Sequence, residues 1–181
     1  MRATIVAALF LTACAGGMAS RPYDSADPSA NLEGVYAAVE GGGILSIIPG
    51  ETDTGYAFEG RLGYSFGPEL AVYLSAALDT ASQTPGGTYR VGQVSAFAQH
   101  HFIVGQLVSF YARAGLGVGL SRDFTADHTM AGGLAETGGL GFEVAITPGF
   151  YLTPEFFYRH AELRGDVNVH AVGLQLGVAY Y

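Results

Sequence analysis

The sequence reads as an all-β chain, an eight-stranded antiparallel up-and-down transmembrane β-barrel. Three observations lead there. Apolar residues alternate with small or charged ones along many segments, as in Tyr56–Phe66, where Tyr56, Phe58, Leu62, Tyr64 and Phe66 interleave with Ala57, Glu59, Arg61, Gly63 and Ser65. Strand side chains point alternately to opposite faces, so each such segment has one apolar face and one small or charged face. Apolar residues make up 49% of the chain and charged residues only 13%, well below the roughly one quarter usual in soluble domains. Yet no apolar run approaches the roughly 20 residues of a membrane helix, so entry into a bilayer is by strands. Finally, Gly67-Pro68, Val104-Gly105-Gln106 and Pro148-Gly149 read as tight turns, whereas 46–54, 80–88 and 122–133 are longer, polar and Gly-rich. Short turns on one rim and longer loops on the other connect such a barrel up and down.

Three regions follow one another along the 181 residues. Met1-Arg2 and the apolar Thr4–Ala13 make a positive start and a hydrophobic segment of signal-peptide length, so 1–19 is an export signal. Leu11-Thr12-Ala13-Cys14 has the form of a bacterial lipobox, in which Cys14, the chain's single cysteine, is the lipidation candidate. Ordinary cleavage after Ala19, with Gly17 and Ala19 as the small residues, is the rival reading. Residues 20–31, rich in Ser, Asp, Pro and Ala, form a flexible linker, and 32–181 form the barrel, a single domain at this length.

Strands are expected at about 33–45, 55–66, 69–79, 89–103, 107–121, 134–147, 150–163 and 168–181. Most reach or exceed the roughly 9–11 residues with which a tilted strand crosses a bilayer. The third sets Leu70, Val72, Leu74, Ala76 and Leu78 against Ala71, Tyr73, Ser75, Ala77 and Asp79. In the fifth, Phe110, Leu116, Val118 and Leu120 oppose Tyr111, Arg113, Gly115 and Gly117; in the sixth, Leu140, Phe142 and Val144 oppose Gly139, Gly141 and Glu143. The seventh places Phe156, Tyr158 and His160 opposite Glu155, Phe157 and Arg159, and the eighth Leu174, Leu176, Val178 and Tyr180 opposite Gly173, Gln175 and Gly177. Tyr56, Phe66, Tyr151 and Tyr180, near strand ends, suit interfacial aromatic girdles.

The small-or-charged faces together carry Glu40, Glu59, Arg61, Gln93, Gln99, Arg113, Glu143, Glu155 and Arg159. A soluble barrel would have to put the Leu, Val and Phe set inside and leave a Gly, Ala and Ser surface too poor in charge for solubility. The charged set therefore faces a lumen, where Glu59, Arg61, Arg113, Glu143, Glu155 and Arg159 form an ion-pair network. All eight basic residues are Arg, which stays charged when desolvated and binds carboxylates through two parallel hydrogen bonds. A net charge of −8 excludes nucleic acid as a partner, because phosphate neutralisation needs a basic surface.

Particular runs carry a family resemblance: Ser95-Ala96-Phe97-Ala98-Gln99-His100-His101-Phe102, Phe110–Gly119 with its Tyr-Ala-Arg-Ala-Gly-Leu-Gly-Val core, Gly139–Pro148, Tyr158-Arg159 and Val172–Tyr180. Over about 95–124 and 138–181 the chain resembles the porin-family outer-membrane β-barrel domain, the OmpA-like eight-stranded group. The resemblance implies residence in the outer membrane of a Gram-negative bacterium, contact with outer-membrane lipids and insertion by the barrel-assembly machinery. Family members usually end on an aromatic in phase with the lipid-facing residues. Here Tyr180 is in phase and Tyr181 lies one residue beyond, so which tyrosine serves in assembly is open.

Eight strands enclose an interior just wide enough for side chains to fill. The Glu/Arg set then plugs the lumen, or else lines a gated proton or small-ion path; plugging is the simpler reading. Barrels of this size that deacylate lipid A resemble one another in a His-x-Ser motif at the outer rim, but Ala161 and Glu162 follow His160, and the nucleophile is missing. His100, His101, His128 and His170 show no carboxylate or Ser spacing, and His100-His101 point to opposite faces, a poor metal geometry. Arg164-Gly165-Asp166 matches the integrin-type tripeptide, which a Gly-Asp turn explains equally well. The expectation is thus a protein that is not an enzyme, with a non-catalytic role in envelope structure or surface interaction. No catalytic residue, metal or cofactor is assigned, and the surface partner is unknown. The alternative is a lipid- or small-molecule-handling barrel, either a lipid A-modifying enzyme or a binding or transport protein.

Overall fold

In the computed structural model, described for residues 33–83, 87–105, 107–121, 131–147, 149–164 and 167–181, the alternating segments form one closed antiparallel sheet. Its strands are β1 (Glu33–Ile48), β2 (Glu51–Phe66), β3 (Leu70–Gln83), β4 (Gly87–Val104), β5 (Val108–Ser121), β6 (Ala131–Thr147), β7 (Phe150–Leu152), β8 (Glu155–Leu163) and β9 (Val167–Tyr180). From β1 to β6 each strand pairs with the next in sequence, β7 and β8 both lie between β6 and β9, and β1 returns to β9 from Ala37↔Tyr180 to Ile47↔His170, which closes the barrel. Closure removes the unpaired sheet edge that a lipid environment cannot hydrogen-bond.

Four expectations about element boundaries are corrected. The seventh strand is not continuous over 150–163: β7 and β8 are one stave broken at Thr153-Pro154, because proline has no N–H to give the ladder. The break stays tied on both sides, since Thr153 N donates to Gly177 O (2.9 Å) and Phe142 N donates to Pro154 O (3.2 Å). Nine segments therefore make eight staves. Nor is 46–54 a long loop; β1 and β2 pair up to Ile48↔Glu51 and turn at Pro49-Gly50, where Gly50 has φ +92°. Alternation persists through this hairpin, with Leu45 and Ile47 exposed and Ile44, Ser46 and Ile48 buried, so pairing extends past the polar composition that suggested a loop. Likewise β3 runs to Gln83 and β4 starts at Gly87. The expected loop at 122–133 gives its last residues to β6; 122–130 lie outside the described residues, as do the export signal, Cys14 and the linker.

The outer surface is apolar. Val39, Leu62, Leu74 and Leu174 are 63–68% exposed, which only a hydrocarbon surrounding makes favourable. From Phe66 to Tyr56 the outward face of β2 is apolar for about 33 Å of strand, which a tilt of ~40° projects onto roughly the 25 Å band of a membrane barrel. Past that band the outward residues turn polar, with Thr54 and Thr52 on β2, Thr80 on β3 and Arg90 on β4. Tyr56, Phe66 and Tyr180 face outward as expected, but Tyr151 does not: it is 3% exposed and packs inside the barrel. Tyr151 shares the parity of the inward Thr153, Glu155, Phe157 and Arg159, so ordinary strand alternation puts it on the inner face.

Inside, three layers of side chains follow one another along the axis. Nearest Glu33 and Tyr181 lies an aromatic layer of Tyr36, Tyr73, Phe97, Tyr151 and Tyr181. Tyr73 stacks on Phe97 at 5.2 Å, and Tyr36 meets Tyr181 at 4.9 Å. At the far end Ile48, Tyr89, Val91, Leu163 and Val169 make an apolar layer. Between them lies the charged layer.

Candidate functional site

Strand parity sends every second residue inward, and the alternation around Arg61, Arg113 and Arg159 puts all three guanidinium groups in the middle of the lumen, each 4% exposed or less. Arg113 on β5 is the hub. Its Nη1 and Nη2 donate to the two carboxylate oxygens of Glu59 on β2 (2.7 and 2.8 Å), while Nε and Nη2 donate to Glu155 on β8 (2.8 and 2.6 Å). Two paired, nearly parallel contacts of this kind use the guanidinium fork fully. Arg159 on β8 donates to Glu59 Oε2 (2.6 Å) and to Asp79 on β3. Arg61 on β2 donates to Glu59 (3.1 Å), to Glu155 (3.0 Å) and to Glu40 on β1.

Neutral groups complete the network. Tyr111 Oη donates to Glu155 (2.7 Å), Thr153 Oγ1 donates to Glu40 (2.9 Å), and the Gln175 amide donates to Glu155 (3.0 Å) and Glu40. Space for the Arg113–Glu155 pair comes from Gly139, where a Cβ would stand 2.7 Å from Glu155 Oε1 and 3.0 Å from Arg113 Nε. Each guanidinium also lies against an aromatic face: Arg113 over Phe97 (4.7 Å), Arg159 over Phe157 (4.2 Å) and Arg61 over Tyr73 (5.7 Å). Cation–π attraction contributes where the charge is desolvated. A buried charge is tolerated only when paired and hydrogen-bonded, and this geometry meets that condition with four acids on three arginines.

Of the six residues expected in one network, Glu59, Arg61, Arg113, Glu155 and Arg159 meet there. Glu143 does not. It accepts from Tyr181 Oη (2.6 Å) and the Gln99 amide (3.1 Å), and its Oε2 lies 3.0 Å from His101 Nε2. The reading of His101 as a histidine without a carboxylate is thus corrected: β4–β5–β6 pairing aligns Gln99, Arg113 and Gly139 across three strands, which brings His101 beside Glu143 although 42 residues separate them. Glu40 and Asp79, absent from the expected network, are full members. Both sat on inward faces in the sequence, and that parity was the signal that could have found them.

His160 has no serine near it in the sequence and pairs instead with His170 on the outer face, the rings stacked at 4.6 Å. Among the described residues no three His, Cys, Asp or Glu side chains converge on a metal position as they stand. Of the tripeptide at 164–166, only Arg164 lies within the described residues.

An eight-stave barrel with an apolar exterior and an ionic interior defines an integral membrane β-barrel protein. The chain belongs to the outer membrane protein beta-barrel domain family, whose model matches residues 6–181. Its fold is that of the crystal structure of Neisserial surface protein A, with a TM-score of 0.71 at 17% identity over 81% of this chain and 96% of that one. The outer membrane enzyme PagL is also similar, with a TM-score of 0.51 at 13% identity, covering 80% of this chain and 98% of that one. For Ail, the attachment invasion locus protein of Yersinia pestis, crystallised with the heparin analogue sucrose octasulfate, the TM-score is 0.49 at 18% identity over 81% and 99% of the two chains. No curated protein matches the sequence. The protein resides in the outer membrane of a Gram-negative bacterium, and the longest connection, between Ser121 and Ala131, joins strands at the rim opposite Glu33 and Tyr181, which makes the Glu33–Tyr181 rim the periplasmic one.

Proposed function

We propose that this protein is a sealed, non-catalytic outer-membrane barrel whose work is envelope structure or interaction at the cell surface. The observation that carries the reading is the three-layer filling of the lumen. A permeating ion would have to part the Tyr36–Tyr181 aromatics, displace guanidinium groups already bonded to carboxylates, and cross the Ile48–Leu163 layer. Each step breaks packing or charged hydrogen bonds. Outer-membrane lipids are its solvent, the barrel-assembly machinery its route of insertion, and the outer hairpins, such as β1–β2 with its turn at Pro49-Gly50, its means of meeting a surface partner.

Planar-bilayer recording of the refolded protein tests the sealed lumen: a baseline current is expected, and a stable, ion-selective conductance would overturn it. Mass spectrometry of lipid A from cells lacking and overproducing the protein tests the non-catalytic reading. Identical acylation in both is expected, whereas altered acylation would establish the lipid-handling alternative.

A further inference from the structure

A second polar group lies outside the barrel, at the outer margin of the apolar band. Pairing aligns Glu136 (β6), His160 (β8) and His170 (β9) directly across three adjacent staves, all on the outward face. The same row continues into Leu116 on β5 and Ile47 on β1, both exposed apolar residues. Three ionisable groups are thus inset where both flanking staves remain hydrophobic. Ionisable side chains at such a place are costly and mark function rather than packing.

The geometry points to a site for a borderline divalent transition cation such as Zn²⁺, held by Glu136, His160 and His170. His160 Nε2 lies 3.3 Å from Asn168 Oδ1. An amide oxygen only accepts, so Nε2–H is the donor there, and in the neutral ring Nδ1 keeps its lone pair. That lone pair faces Glu136 Oε2 across 3.9 Å, too far for a hydrogen bond. Two electron-pair donors facing each other across such a gap call for a positive charge between them. A zinc ion bonded to each at about 2.0–2.2 Å spans the gap with a bent N–Zn–O angle.

His170 Nδ1 lies 2.8 Å from Tyr158 Oη; with Nδ1–H as the donor, Nε2 keeps its lone pair for a ligand. Its ring now lies parallel to His160, 11° between planes, so the third bond forms when the imidazole leaves Tyr158 and swings to another rotamer with no backbone change. His160 is therefore oriented through its other nitrogen by a neutral partner, Asn168, as ligating histidines usually are. Two imidazoles, a carboxylate and one open position make a zinc coordination set. The side chains of His160 and Glu136 are 20% and 35% exposed, so the ion has access from outside. The β8–β9 hairpin makes the site by folding His170 back opposite His160, a pairing that local spacing in the chain does not display. The site is independent of whether the lumen is sealed.

Isothermal titration of ZnCl₂ into the full-length protein in detergent micelles, with Co²⁺ absorption as a second readout, tests it. One Zn²⁺ per chain is expected. The double variant H160A/H170A should lose affinity by more than about 100-fold and N168A by roughly 10–100-fold, while heat-modifiable migration stays normal because the groups lie outside the barrel core. Co²⁺ should give intense tetrahedral visible bands that vanish in the double variant. No binding at millimolar zinc, or affinity unchanged in the folded double variant, would overturn the site. Loss of binding on H128A with H160A/H170A unaffected would overturn it too, by placing the ion elsewhere.

Discussion

Arg113 touches two carboxylates with nearly every donor it has, so its replacement strands both inside the lumen. Arg113→Met should destabilise the barrel by about 3–5 kcal/mol, read as an earlier urea midpoint in micelles by tryptophan-free probes such as heat-modifiable migration. Arg113→Lys should recover little of this, because an ammonium is a point charge without the fork that serves Glu59 and Glu155 together. At Gly139 a single methyl is enough: Gly139→Ala crowds the same ion pair and should cost about 1–3 kcal/mol in the same assay. Parity alone placed these arginines inward, and so the existence of a buried network was legible in the sequence. Its wiring was not. Asp79 looked like the end of a strand, yet β3 continues to Gln83, which moves Asp79 into the interior and onto Arg159. Glu143 looked like one more arginine partner, but the arginines are taken by acids on other staves, and its neighbours are His101, Gln99 and Tyr181.

The last strand shows how much one element decides. Tyr180 on β9 is 47% exposed and leans on Phe150 at 5.1 Å, while Tyr181 turns inward and is 9% exposed. The two tyrosines have opposite addresses, which separates an assembly role from a packing role. Tyr180→Ala should lower the yield of inserted barrel in cells, measured in outer-membrane fractions, and leave the urea midpoint of refolded protein nearly unchanged. Tyr181→Phe should do the reverse, removing a donor from buried Glu143 at a cost of about 1–3 kcal/mol with insertion normal. Strand existence was readable from alternation along the whole barrel. The ends were not, because a β-hairpin with inward Ser46 and Asp53 has the polar composition of a loop, and because Pro154 breaks a stave without breaking its alternation.

Taken whole, the molecule is a filled tube, and its layers act in series. Tyr36→Ala with Tyr73→Ala and Tyr181→Ala removes three of the five rings of the aromatic layer and touches neither other layer, so bilayer current should remain at baseline; current in this variant would mean that the ionic and apolar layers leak. The ionic layer also has a consequence in time. Glu40 and Gln175 are 135 residues apart, Arg159 and Glu59 100, Arg113 and Glu59 54; within one hairpin only Arg61 meets acids, Glu59 and Glu40, and Arg113 and Arg159 find theirs on distant staves. A partly inserted sheet would present bare guanidinium and carboxylate groups to hydrocarbon. The clasp fastens only when first and last staves meet, and insertion becomes an all-or-none event whose slow step is the meeting of distant chain ends.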